Sequence, residues 1–247
     1  MTDIEQPDII LYDLACTKNV CFSPVVWKIR LMLNYKKIPY QTIFLEFPDI
    51  APTLEELGLP SHSPGTGSHV NYTVPAIKHV PTGTYIMDSP AIAKFLETTY
   101  PNPPLPLTSE LGKEIETNAR SAIGPAFRIS ITPREHLILS PRSQEYFRAK
   151  SEKLLGCKLE ELMNGEKEEK AWAGVKEKMN ELSELMMTNK DQGPFVLGDH
   201  PSYTDYFIAA SLQSARTIDE SVFQRCVEYP GFKMIYEACQ PWMDKRD

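Results

Sequence analysis

No stretch of the chain approaches the roughly 20 consecutive apolar residues that a membrane-spanning helix needs, so no membrane partner is expected. Basic residues are in deficit, 26 Lys+Arg against 33 Asp+Glu for a formal charge of −7. Phosphate backbones are bound by clustered Lys and Arg, so nucleic acid is not expected as a partner either. The five cysteines (Cys16, Cys21, Cys157, Cys226, Cys239) are few and scattered. They form no C-x-x-C pair and no histidine lies at zinc-finger spacing from them, which excludes a disulfide framework and leaves no metal expected. The polar, acidic residues 1–8 resemble neither a secretory signal nor a transit peptide, and a cytoplasmic location is expected. There is no internal repeat. With 42% hydrophobic and 24% charged residues, the 247-residue chain has the composition of a folded protein of one large or two smaller domains.

Proline, by contrast, is plentiful at 21 residues. Four fall in the segment P-N-P-P-L-P at 101–106, which cannot continue a helix and favours extended backbone. This segment reads as a linker, and the pattern changes across it. The expected division is 1–100, a Pro-rich linker 101–109, and 110–247.

Before the linker, strands and helices alternate. Residues 9–12 read as a strand, 24–35 as a helix with Val25, Ile29, Met32 and Leu33 on one face and Lys28, Lys36 and Lys37 off it, and 40–45 as a second strand. Residues 46–72 form a long segment rich in Pro, Gly and Ser, with one helical candidate at 53–57. Strands at 74–80 and 84–87 flank a Pro81-Thr82-Gly83 turn, and 89–100 is a helix. This order implies a small α/β layer. After the linker only helices are expected, at 111–126, 141–163, 168–189, 202–216, 220–227 and 231–243.

Three short motifs bear on chemistry. Ser23-Pro24 reads as a helix start, Ser at the cap and Pro at the first position. It also reads as a hydroxyl placed where unpaired N–H groups and the helix dipole favour an anion such as a thiolate. Thr73-Val74-Pro75 reads as an edge-strand start, or as a cis proline that turns the Val74 main chain outward to pair with a peptide-like ligand. Asp88-Ser89-Pro90 repeats the cap arrangement. A carboxylate and a hydroxyl there also suit the α-ammonium and α-carboxylate of an amino acid.

Taken together and in order, these stretches resemble the cytosolic glutathione transferases. Ser23-Pro24-Val25-Val26-Trp27-Lys28-Ile29-Arg30 is similar to the family's S-P-x-x-x-[KR]-x-R segment, Val74-Pro75-Ala76-Ile77 to its V-P-x-L motif, and Asp88-Ser89-Pro90-Ala91-Ile92 to its [ED]-S-x-A-I motif. Ser202-x-x-Asp205 is similar to the structural capping box of a family helix. The resemblance implies an α/β thioredoxin-like N-terminal domain plus an all-α C-terminal domain, glutathione as co-substrate, and a homodimer. It implies that Ser23 activates the glutathione sulfur, Val74 pairs with its cysteinyl backbone, and Asp88 and Ser89 hold its γ-glutamyl end. Trp27 packs in the helix with its N–H in reach of glutathione, and Lys36, Lys37 and His62 are the candidates for the glycine carboxylate. Cys21, two residues before Ser23, is the rival nucleophile and would make the protein a thiol-disulfide reductase. Asp88 stands where many relatives carry Glu, and Thr73 where other classes carry Lys.

The acidic lead, the C-F-S-P-V-V-W-K stretch and the long segment 46–72 resemble the etherase-related FuA class of wood-decay fungi. That implies hydrophobic or aromatic acceptors, with aryl-ether cleavage as one reaction and residues 111–139 as the acceptor wall. The alternative is a protein that keeps the glutathione pocket and binds polyphenolic or other hydrophobic ligands without turnover. A structural module of the same fold is a third reading, which intact Ser23, Asp88 and Ser89 oppose.

Overall fold

The computed structural model describes residues 6–61 and 71–246. Its first half is built on a four-stranded mixed sheet of order β2-β1-β3-β4: β1 (Ile9–Leu14), β2 (Tyr40–Leu45), β3 (Ala76–His79) and β4 (Thr84–Met87). β1 runs parallel to β2 and antiparallel to β3, and β3 pairs antiparallel with β4. The parallel pair needs a crossover, supplied by α1 (Pro24–Tyr35). Two further helices, α2 (Ile50–Glu56) and α3 (Ser89–Thr99), complete this half.

α1 starts where Ser23 keeps an extended backbone and Pro24 supplies a helical φ. It stops at Lys37, whose left-handed φ of 54° turns the chain so that Ile38 N–H reaches the Leu33 carbonyl at 3.0 Å. Every residue from Val26 to Leu33 is buried, because the helix lies between the sheet and α9 (Tyr203–Ile218). The single apolar stripe expected from periodicity is therefore too narrow. Lys28 and Lys36, placed off that stripe, are both buried, and only Lys37 is exposed. Arg30 is buried as well and pairs with buried Asp13 of β1 at 2.9 Å, tying α1 to the sheet.

Residues 101–108 carry no helix or strand, and from there on the chain is helical: α4 (Glu110–Asn118), α5 (Gly124–Leu137), α6 (Pro141–Leu155), α7 (Leu159–Leu162), α8 (Gly165–Met186), α9, α10 (Glu220–Val227) and α11 (Pro230–Cys239). Among the described residues of this half there is no strand, only an isolated bridge between Phe195 and Gly198. The helix expected to stop at 126 runs on to Leu137. Gly124 and Pro125 do not end it, because a π-helical turn at Ala119–Ile123 absorbs the mismatch in hydrogen bonding between α4 and α5. At the start of α9 the Asp205 carboxylate accepts the N–H groups of Ser202 (2.7 Å) and Val196 (2.8 Å), so this box is structural. No described helix is long and apolar enough to cross a membrane, and no group of three or more metal-ligating side chains occurs among the described residues.

Candidate active site

The turn between β1 and α1 is held from three sides. Thr17 N–H donates to the Ile138 carbonyl (2.8 Å), Cys21 N–H to the Arg246 carbonyl (2.9 Å), and Trp27 Nε1–H to the Cys21 carbonyl (3.0 Å). The helical half and the C-terminal tail thus fix the backbone that presents Ser23. Ser23 occupies the cap position of α1, yet its hydroxyl caps nothing and has no hydrogen-bond partner among the described residues. Although the residue is only 3% exposed, it lines a cleft of about 730 Å³ together with Val25, Thr73 and Val74. A seryl oxygen with no partner, at the positive end of a twelve-residue helix, is a ready donor to an anion.

Across the cleft, the Val74–Pro75 peptide is cis. Neither main-chain polar group of Val74 is hydrogen-bonded among the described residues, while on either side of it the chain is committed. Thr73 N–H approaches Met87 Sδ at 3.3 Å, and the Pro75 carbonyl accepts Asp88 N–H at 3.2 Å. Asp88 stands at the head of α3 with φ 78° and ψ 128°, a conformation costly for a residue with a Cβ, and its side chain caps nothing. Its carboxylate accepts from Thr73 Oγ1 at 3.3 Å, which connects it to the cleft wall. Ser89 is buried in the first turn of α3.

The remaining sequence candidates lie elsewhere. Trp27 is fully buried, with its N–H committed to Cys21, so it has no donor left for a ligand. Lys36 is thirteen residues beyond Ser23, about 20 Å along the helix at 1.5 Å per residue. Its ammonium is bonded to the carbonyls of Tyr100 and Pro103 (both 2.7 Å) and to Glu97 (2.8 Å), so it anchors the linker and is absent from the cleft. Lys37 shares that distant end of the helix, and His62 lies outside the described residues. Cys21 is fully buried, and desolvation together with nearby Asp13 raises its thiol well above the ordinary range, so it is neither accessible nor ionised.

Sequence reasoning missed the other wall of the cleft. It comes from α6, through Tyr146, Phe147, Lys150 and Ser151, and from Phe47. Phe47 stacks on Tyr146 (6.5 Å between centroids) and meets Phe147 at 5.4 Å. Residues between 119 and 135, within the stretch expected to form the acceptor wall, line a second cavity, which Phe22, Pro24 and Val25 border from the start of α1. The signal lay in the Y-F pair of a helix that reads as amphipathic, but nothing in one sequence says which cavity that face meets.

Comparison with known proteins bears on both halves. Residues 22–99 match the family model of the glutathione S-transferase N-terminal domain, and residues 113–227 that of the C-terminal domain. The chain is 29% identical, over 99% of its length and 94% of the relative's, to the glutathione S-transferase-like protein ustS of Aspergillus flavus. A glutathione S-transferase of Ceriporiopsis subvermispora, solved in complex with glutathione, superposes with a TM-score of 0.85 at 29% identity, covering 97% of this chain and 99% of that one. Glutathione transferase GSTFuA3 of Phanerochaete chrysosporium gives 0.82 at 28% identity, over 97% and 98% of the two chains. The thioredoxin-like sheet half, the helical half and their order along one polypeptide place this chain in the glutathione S-transferase family.

Proposed function

We propose that the protein is a serine-type glutathione transferase that delivers the glutathione thiolate to hydrophobic, aromatic electrophiles. The observation that carries this reading is the Ser23 hydroxyl, which sits at a helix cap position without capping and faces the cleft. Glutathione lies along the Val74 edge, its cysteinyl amide pairing with the two free main-chain groups there. Its γ-glutamyl end meets Asp88 and Ser89 at the head of α3. Ser23 donates a hydrogen bond to the sulfur, which favours thiolate over thiol and raises the fraction able to attack. The thiol proton passes to solvent. A C–S bond then forms at the acceptor carbon as its bond to the leaving group breaks. With an aryl ether that bond is C–O, and the aryl oxygen departs as a phenolate.

The acceptor stacks on the aromatic wall of Phe47, Tyr146 and Phe147, where offset or edge contacts between rings add to simple burial. The complex of the Ceriporiopsis relative with glutathione supports glutathione as the first substrate. Glutathione binding falls to residues 1–100 and acceptor binding to 110–247, joined by the linker 101–109. The reading extends to a homodimer working in the cytoplasm, where the free cysteines stay reduced. Light scattering tests the dimer. Turnover with a panel of aryl ethers and activated aryl halides tests the chemistry: thioether products are expected, and tight binding of every panel member with no thioether would contradict catalysis.

A further inference from the structure

α6 carries Ser143, Tyr146, Phe147 and Lys150 at the i, i+3, i+4, i+7 spacing that puts side chains on one helix face. The last three line the cleft, and Ser143, just before them, is fully buried. On the sheet half, Phe47 follows directly on Glu46, where β2 has ended and the chain turns into a short 3-10 segment, Phe47–Asp49. The aromatic wall is therefore assembled from two halves of the molecule, and its rings meet only if those halves are held in register.

A single carboxylate oxygen holds them. Glu46 Oε2 accepts the hydroxyl of Ser140 at 2.5 Å and also the hydroxyl of Ser143. Both hydroxyl oxygens are occupied in turn: Ser140 Oγ accepts Ser143 N–H at 3.3 Å, and Ser143 Oγ accepts Phe47 N–H at 3.1 Å. Each serine has one proton to give, and both protons go to Glu46. The carboxylate also sits at the N-terminus of a fifteen-residue helix, where the dipole favours an anion. This network ties the Phe47 main chain to α6 one turn before Tyr146 and Phe147, the two rings that Phe47 meets at 6.5 and 5.4 Å.

A second tie joins the same segments, Arg142 to Asp49 through two bonds of 2.6 and 2.7 Å. Its side chains are 60% and 37% exposed, and exposed ion pairs contribute little. Register therefore falls to Glu46 and the buried Ser143.

We propose that Glu46 is a positioning residue for the acceptor: by holding Phe47 against Tyr146 and Phe147 it keeps the aromatic wall formed before the acceptor arrives, and so makes the cleft select aromatic over aliphatic acceptors. A wall already in place costs no ordering when a ring settles on it, which is how preorganised sites gain affinity. An alkyl chain has no stacked or edge-on geometry to satisfy and gains less from that order. The proposal rests on the reading of the cleft as the site of glutathione and its acceptor.

The test is calorimetric titration with S-benzylglutathione, S-butylglutathione and glutathione itself, which needs no turnover. The wild type is expected to prefer the benzyl to the butyl conjugate about tenfold. Glu46→Ala should reduce that preference to about twofold or less, while glutathione affinity stays within about twofold and shows that the fold is intact. Ser143→Ala, which removes the hydroxyl between Glu46 and Phe47, should do the same. Glu46→Gln keeps an oxygen acceptor and should restore most of the preference, and Arg142→Ala should leave it at the wild-type value. An undiminished preference in Glu46→Ala, a loss as large in Arg142→Ala, or a wild type that binds glutathione but does not distinguish the conjugates would each overturn this proposal alone. A wild type that does not bind glutathione would overturn the glutathione reading and this proposal with it.

Discussion

The indole N–H of Trp27 donates to the carbonyl of Cys21 across 3.0 Å, so the first turn of α1 is bonded back onto the loop that leads into it. This bond closes a short ring of chain around Ser23 and holds its hydroxyl toward the cleft. Trp27 is fully buried with its N–H committed, so its link to Ser23 runs through the backbone. Trp27→Phe keeps most of the ring packing and loses the donor. It should cost about 1–2 kcal/mol of stability and lower kcat severalfold, while glutathione affinity stays within about twofold. Denaturant midpoints and a glutathione titration check both halves of this statement.

Cys21 gives the reciprocal prediction. Because the thiol is inaccessible and held protonated, native protein treated with a thiol-labelling reagent should modify Cys157, the one cysteine that is not buried, well before Cys21. Cys21→Ala should retain transferase turnover. Rapid native labelling of Cys21 would reopen the reductase reading.

Lys36 anchors structure. Lys36→Met leaves two carbonyls and Glu97 without their ammonium, where α1, α3 and the linker meet. A loss of about 1–3 kcal/mol is expected, with no change in the glutathione KM. Thermal denaturation and steady-state kinetics separate the two effects.

What could be read from the chain and what could not follow from the same physics. β2, β4 and α10 fall on the expected residues, and α1 begins and ends there too, because Pro24, the β-branched runs and the turn residues act locally. The continuation of α5 past Gly124-Pro125 did not show, since a π turn answers to packing against neighbouring helices more than to composition. Ser23, Val74 and Asp88 each stand, as their motifs imply, at a junction where backbone geometry limits the choice of residue, and Ser23 and Val74 line one cleft. The burial of Lys28, Lys36 and Trp27 was not legible, because a helix covered on both faces hides its polar groups and periodicity records only one face. The aromatic wall of α6 depends on how that helix docks, which no local signal encodes.

Glu135, which lines the second cavity, gives a pH prediction. Its carboxyl has no partner among the described residues, and burial alone pushes it up to about 7 from an ordinary 4.5. A raised carboxyl means that the folded chain holds a proton the unfolded chain releases. Stability is therefore complete below about 4.5 and falls as pH rises through about 7. Glu135→Gln removes that dependence. Its Tm should exceed the wild type's at pH 8 and match it at pH 4.5, as read by calorimetry at the two pH values.

The central claim is that the Ser23 hydroxyl stabilises the glutathione thiolate. It is tested most directly by titrating the ultraviolet thiolate absorbance of bound glutathione in the wild type and in Ser23→Ala. The account predicts that removing the hydroxyl raises the pKa of the bound thiol by about 1–2 pH units toward that of a free thiol, with kcat/KM at neutral pH falling about a hundredfold. A bound thiol that titrates at the same pH in both proteins, with turnover unchanged, would contradict it.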